Sequence, residues 1–253
     1  MSEVLDHEWF CERAEAEIAR MAVAAAAADP AAPVLTCPSW TVAKLVKHTG
    51  IVHRWATAIV SSRSSDRVDQ RDLDVGLPSS EADYADWLAA GAPPLLSALR
   101  SAGPATVVWA WGAEQRSGWW ARRMLHETTV HRADAEFAVG VSPGIDPVVA
   151  ADGIDEFLAN LPAARRPREH LAELPAGESV HLHATDSDGE WLIQFADGTV
   201  SWSRGHAKAS AAVRGPVGQL LLFTYGRVRP SDASLTVFGD SALLDAWQEK
   251  TAL

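Results

Sequence analysis

Two cysteines, Cys11 and Cys37, are all that this chain of 253 residues contains. They are too few for a disulfide framework, and in a reducing compartment both are expected as free thiols. Long apolar runs are missing as well. The longest bland stretch, from Ala22 to Ala28, falls far short of the ~20 residues that span a bilayer. The first residues lack the basic segment and apolar core of a signal peptide, so a cytoplasmic location is expected. Positive charge is scarce: 22 Lys and Arg face 33 Asp and Glu, a formal net charge of -11. Such an acidic surface repels nucleic acid and anionic membrane, and neither is expected as a partner. Glycine-rich phosphate loops and internal repeats are absent, the Asp-Gly and Gly-Asp pairs reading as turns. Tyrosine is rare, with two, whereas there are eleven tryptophans.

What is present is ordinary globular material, 47% apolar and 22% charged, in a length that fits two domains better than one. A first helix over about 5–28 is predicted by Trp9, Ala16, Met21 and Val23 interleaved with charged residues, and Asp29-Pro30 ends it. A second helix follows Cys37-Pro38-Ser39-Trp40-Thr41, capped by Ser39 or Thr41, and runs to about Val60. His48, three residues after Leu45 and four before Val52, belongs to its inward face. His53 lies about 140° round the wheel and cannot share a site with it without distortion. Residues 61–80 read as a long loop, and a third helix over about 81–101 is kinked or split by Pro93-Pro94. A Trp-rich stretch, 109–120, leads into a fourth helix, Trp119 to Asp134, read as amphipathic from Trp120, Met124, Ala133 and Phe137. The loop and the Trp-rich stretch are candidate walls of a substrate pocket. Four helices of this kind fit an antiparallel bundle.

After a linker-like run, Gly140 to Pro147, the pattern changes. A helix over about 148–161 precedes strand signals at Val180–Ala184, Trp191–Phe195, 199–203 and 209–214, read as a continuing meander with turns at Asp188-Gly189 and Asp197-Gly198. A helical run from Val217 to Tyr225, a strand over 235–238 and a helix over 241–251 complete an α+β half.

Glu127 and His131, four residues apart, project from one face of the fourth helix. The pair suits a metal site or a solvated polar patch. In an up-down bundle His48 would meet them, and two imidazoles with one carboxylate form a three-ligand zinc set with an open fourth position. The alternative is a satisfied core histidine beside a polar pair. His126-Glu127 followed by His131 departs from the H-E-x-x-H pattern, the second His arriving one residue late, which favours Glu127 as a ligand rather than a general base. Asp134, one turn beyond His131, is placed either to orient that ring or to form a surface ion pair. Cys37, ahead of a proline in a capping loop, reads as structural. His181 and His183 lie two apart on one strand face, a second ligand pair or simply the polar side of a half-exposed edge strand. His206 falls in a turn region and needs no function.

Cys37-Pro38-Ser39-Trp40-Thr41-Val42 followed by His48, the helix bearing Trp120, Arg123, Glu127, His131 and Asp134, and a second half with Asp188-Gly189-Glu190-Trp191, Gly215, Leu220 to Arg227 and Gly239-Asp240 resemble the mycothiol-dependent maleylpyruvate isomerase family. That family is one of the DinB-like metal-binding bundles and typical of actinobacteria. The resemblance covers nearly the whole chain. It implies an α and α+β fold: a DinB-like four-helix metal-binding bundle over 1–143, then a small sterol-carrier-like α+β domain over 144–253. It implies Zn2+ held by His48, Glu127 and His131, mycothiol as thiol cosubstrate, and Arg227 as a catalytic residue that reaches the cleft. Read without the family pattern, Arg227 is a surface or C-capping arginine. The implied reaction is cis-trans isomerisation of a maleylpyruvate-like acid, or S-transfer of the thiol to or from an electrophile. The rival class is a non-enzymatic metal- or small-ligand-binding protein on the same scaffold. The expected partners are a small-molecule thiol and an electrophilic substrate, the chain itself being a monomer or weak homodimer.

Overall fold

Helix α1 (His7–Ala27) begins where the side chain of Asp6 accepts the Trp9 backbone N–H at 2.8 Å, satisfying one of the helix's orphan donors. The computed structural model describes residues 5–164 and 169–251. Helix α2 (Val42–Ser62) is capped by Thr41, whose hydroxyl accepts from Lys44 N at 3.2 Å, so the choice between Ser39 and Thr41 falls to Thr41. Gly50 on α2 lies against the ring of Trp87. A methyl group there would come within 2.1 Å of it.

The connection after α2 carries a short 3-10 turn, Gln70–Asp72, and is pinned by two indoles. Trp55 Nε1 donates to Val68 O at 2.7 Å and Trp87 Nε1 to Val75 O at 2.9 Å. The expected third helix is split, as α3 (Tyr84–Ala90) and α4 (Ala92–Ala102). The break falls at Gly91, and Pro93 and Pro94 sit in the first turn of α4, where their missing N–H groups have no intrahelical partner to lose.

Helix α5 (Ser117–Ala138) packs against α1, α2 and α4. It is not amphipathic: Arg123, His126, His131, Arg132, Asp134 and Glu136 are buried along with Trp120, Met124 and Ala133. The apolar period missed this because the polar residues of α5 are buried in paired form. Arg132, with no exposed surface, forms ion pairs with Glu17 of α1 and with Glu136, and Arg20 pairs with both carboxylates at 3.3 Å. At its N-terminal end, Trp119 and Trp120 join Trp55, Trp109 and Trp111 in a cluster with ring centroids 4.9 to 6.4 Å apart. Trp55, Trp119 and Trp120 are therefore core residues rather than walls of a pocket.

The chain divides into two compact units, Met1–Pro143 and Gly144–Leu253. The second opens with α6 (Pro147–Asn160), capped by Asp146, which accepts from Val148 N at 2.8 Å. Five strands follow: β1 (Ser179–Ala184), β2 (Glu190–Ala196), β3 (Thr199–Arg204), β4 (Ala211–Gly215) and β5 (Thr236–Gly239). Helix α7 (Val217–Thr224) lies between β4 and β5 in sequence, and α8 (Ser241–Thr251) follows β5. The sheet order is β3-β2-β1-β4-β5. The meander therefore holds only through β3. Strand β4 pairs parallel to β1, so the segment from Gly205 to Ser210 returns across one face of the sheet rather than turning back beside β3. That places β1 at the centre of the sheet, not at an edge. Helix α7 packs on β1 and β4. Among the described residues no helix is long and apolar enough to cross a membrane.

Two consequences for stability follow. Replacing Arg132 by Met removes the buried partner shared by Glu17 and Glu136 and leaves them the more exposed Arg20, and a loss of about 3 kcal/mol is expected in urea denaturation. His53 of α2 is fully buried and bonded through Nε2 to Thr128 Oγ1 at 2.9 Å. Burial lowers its pKa from 6.5 to about 3. The unfolded chain takes up a proton below pH 6.5 that the folded chain refuses until about pH 3, so this group's stabilisation is complete above the first value and is lost as pH falls towards the second. Between about pH 6 and 5, wild type should lose about 1 kcal/mol more than His53→Gln in paired urea titrations.

Candidate metal centre

Helices α2 and α5 bring His48, Glu127 and His131 together. His48 Nε2 lies 3.0 Å from Glu127 Oε1, and His131 Nε2 lies 3.4 Å from the same oxygen. The two imidazoles meet edge to face, centroids 5.1 Å apart. One donor atom from each residue falls within 4.8 Å of the other two. The spacing of four on α5 supplies one wall, and the inward face of α2 supplies the other. His53 is bonded instead to Thr128 Oγ1 and is not one of the converging groups.

Glu127 and His131 each have a partner behind them. Arg123, one turn before Glu127, donates to Glu127 Oε2 at 3.1 Å and leaves Oε1 to the imidazoles. Asp134 Oδ2 lies 2.9 Å from His131 Nδ1. A buried carboxylate at Nδ1 fixes the orientation of the ring and turns Nε2 towards Glu127 and His48. Of the two roles open to Asp134, orienting the ring is the one the geometry shows. Arg132, the alternative partner, is engaged with Glu17 and Glu136.

Asp134 is itself held. Thr36 Oγ1 donates to Oδ1 at 2.6 Å and Cys37 Sγ to Oδ2 at 3.3 Å. Cys37 thus ties the loop before α2 to the ligand helix, and its sulfur stands close enough to His131 and Asp134 to share a cation with them. Trp40, from the same loop, stacks over His131 with centroids 6.0 Å apart and rings 26° from parallel, and lies 5.0 Å from His48. Lys44 Nζ sits 5.8 Å from the Trp40 ring centroid. Thr36 and Trp40 were not singled out as site residues from sequence, since a loop has no periodicity to mark its direction. The one available signal was their position beside the Thr41 cap.

Access is graded, the side chains of His131, Glu127 and His48 being 10%, 20% and 39% exposed. Solvent therefore reaches the centre from the His48 side. Burial alone would raise the Glu127 pKa. Hydrogen bonds from His131 and His48 and the charges of His131 and Arg123 outweigh it and hold the carboxyl well below its ordinary range. Burial likewise acts to lower the His131 pKa, but its hydrogen bonds to Asp134, Cys37 and Glu127 raise it well above the ordinary value. Two Nε2 atoms and an ionised carboxylate oxygen, one imidazole backed by a second carboxylate, form a donor set that fits zinc or a similar divalent ion with a coordination position to spare.

Arg227 lies in the C-terminal unit, just past α7. It is half-buried, and its Nη1 donates to Tyr225 O at 2.8 Å.

Sequence and structure comparisons bear on the two units. A family profile described as the mycothiol maleylpyruvate isomerase N-terminal domain matches residues 11–136, and one described as the MDMPI C-terminal domain matches residues 148–246. No curated protein matches the sequence. Among solved structures, the mycothiol-dependent maleylpyruvate isomerase superposes with a TM-score of 0.62 at 12% identity, over 92% of this chain and 93% of that one. A mutant of the same enzyme gives 0.63 over the same shares. At that identity the likeness establishes the fold, an α-helical part followed by an α+β part. With profiles covering both units in order, the chain belongs to the mycothiol maleylpyruvate isomerase family.

Proposed function

We propose that the chain is a zinc-dependent enzyme that uses a low-molecular-weight thiol, mycothiol, to isomerise an unsaturated acid of the maleylpyruvate kind. The observation that carries this reading is the convergence of His48 Nε2, Glu127 Oε1 and His131 Nε2, with Asp134 behind the second imidazole. Zinc bound there supplies a Lewis acid that keeps a thiol in its nucleophilic thiolate form at neutral pH. Glu127 contributes the negative charge that offsets the cation, and Arg123 fixes which carboxylate oxygen faces it. Asp134 retains the proton on His131 Nδ1, so the ring presents a lone pair at Nε2. Trp40 covers the imidazoles and narrows entry to the solvent-facing His48 side.

The cosubstrate thiolate adds to an activated cis double bond, the resulting single bond rotates, and elimination yields the trans acid with the thiol regenerated. Arg227 is assigned to the substrate carboxylate, which its guanidinium can hold bidentately. That assignment rests on the arginine's position after the Leu-rich helix in the family pattern. S-transfer of the thiol to or from an electrophile uses the same centre and differs only in whether the adduct collapses or is released. A water-soluble thiol and a water-soluble acid suit the acidic chain and a cytoplasmic setting.

Four measurements test this reading. Metal analysis should find that His48→Ala and His131→Ala each remove one equivalent of bound zinc relative to wild type. Unchanged metal content in both would remove the basis of the proposal. Asp134→Asn should weaken zinc binding by about 10–100-fold in chelator competition while leaving the ligands in place. Wild-type affinity in that variant would show that the carboxylate has no orienting role. Incubation with mycothiol and cis-unsaturated acids, followed by NMR and mass spectrometry, separates isomerised product from stable S-adduct. Arg227→Lys should retain full zinc content yet lower kcat/KM for carboxylate substrates at least about tenfold, and equal turnover would refute its role.

A further inference from the structure

We infer that the C-terminal unit holds a second site for a divalent transition-metal ion, formed by His181, His183 and Glu190, with His206 as an additional donor. The site shares no residue with the bundle centre and does not depend on the reading given for it.

Its geometry comes from the sheet. His181 and His183 are two apart on β1 and so share a face, and the antiparallel register sets Glu190 of β2 directly opposite His183. The intervening Leu182 and its partner Trp191 point to the opposite face and are fully buried. On the histidine side, Gln194, Ser201 and Ser203 are exposed, as suits a face left to water. His181 nevertheless retains only 4% of its surface. The cause is the return segment after β3: Gly205 O accepts from His181 Nε2 at 3.3 Å, and His206 brings its ring over the pair.

Three imidazoles thereby surround one carboxylate. His181 Nε2 lies 3.2 Å and His206 Nδ1 2.7 Å from Glu190 Oε2, and His183 Nδ1 lies 3.4 Å from Oε1. The ring centroids stand 5.6 to 6.3 Å apart. Donor atoms of His181, His183 and Glu190 all fall within 4.8 Å of one another. A neutral imidazole donates only one N–H and keeps one lone pair, so a trio of them around one carboxylate brings more acceptor capacity together than hydrogen bonding among them uses. A cation that accepts lone pairs meets that surplus. Imidazole nitrogen with one carboxylate oxygen selects Zn2+, Co2+, Ni2+ or Cu2+ over Mg2+ and Ca2+. With His206 engaged the protein supplies four donors, the closed count of a structural zinc site rather than a catalytic one. Bound metal would clamp the return segment onto β1 and β2.

The reading of β1 as an edge strand made a simple polar face an adequate account of His181 and His183. Their place on the central strand, under a crossing segment that adds a third imidazole, removes that account.

The test uses the full chain. His48→Ala with His131→Ala removes the proposed bundle ligands, and His183→Ala with His206→Ala removes two donors here. His206 is 80% exposed at its side chain and His183 31%, so the second pair of changes leaves the core intact, which far-UV circular dichroism verifies. Zinc is measured by mass spectrometry after dialysis, and Co2+ loading by visible absorption. The expected result is one equivalent of zinc retained by the bundle-ligand variant, lost when the second pair of changes is added, and one equivalent lost from wild type on the second pair alone. Zinc should also raise the melting temperature of the bundle-ligand variant but not of the four-fold variant. The inference is overturned if the second pair of changes alters neither zinc content nor cobalt spectrum in either background. Failure of the bundle reading is separate: zinc would then be insensitive to His48 and His131 whatever happens at His183 and His206.

Discussion

An ionised carboxylate inside a helix bundle is tolerable only while cations or hydrogen-bond donors face it, and Glu127 is that carboxylate. Arg123 occupies one of its oxygens, and His48 and His131 converge on the other. This single requirement couples α2 to α5, because neither helix alone can surround Glu127. It also requires α5 to be held in register, and the buried Arg132, next in sequence to His131, does that by gripping Glu17 of α1 and Glu136 of its own helix. Helix α5 is therefore buried on nearly every turn, and the amphipathic pattern expected of a surface helix is absent. Its polar residues are inside because each has a charge or a hydrogen bond to meet.

The two units reach similar donor sets by different periodicities. On α5 a spacing of four brings Glu127 and His131 to one face, and the third group comes from a neighbouring helix. On β1 a spacing of two does the same for His181 and His183, and the carboxylate comes from the paired strand. The bundle centre is backed by Asp134 and roofed by Trp40. The sheet cluster has a segment without regular structure, Gly205-His206, laid over it, so its fourth donor comes from chain crossing rather than from a regular element.

Much of this was legible in the sequence. His48, Glu127 and His131 could be named from helical spacing and a family pattern, and the position of Asp134 at three residues beyond His131 already contained its geometry. The division of the third helix was legible because proline chemistry is local, although the break itself falls at Gly91, just ahead of Pro93-Pro94. What escaped detection was non-local. Thr36 and Trp40 reach the site through a loop whose course no period encodes. The parallel pairing of β4 with β1 could not be read from alternation, since a period of two identifies a strand without naming its neighbour, and the same gap turned a central strand into an expected edge. Arg132 was missed as a core residue because its burial depends on Glu17, more than a hundred positions earlier in the chain.

The aromatic cluster at the start of α5 has an optical consequence. Trp55, Trp109, Trp111, Trp119 and Trp120 stand close enough, 4.9 to 6.4 Å between ring centres, for their excited states to couple and for absorbed energy to migrate among them. Such coupling varies steeply with mutual distance and tilt. Trp120 lies two turns before Glu127 on the same helix, so a small shift of α5 would alter the near-ultraviolet signal. The bundle carries its own strain gauge, readable without any added label.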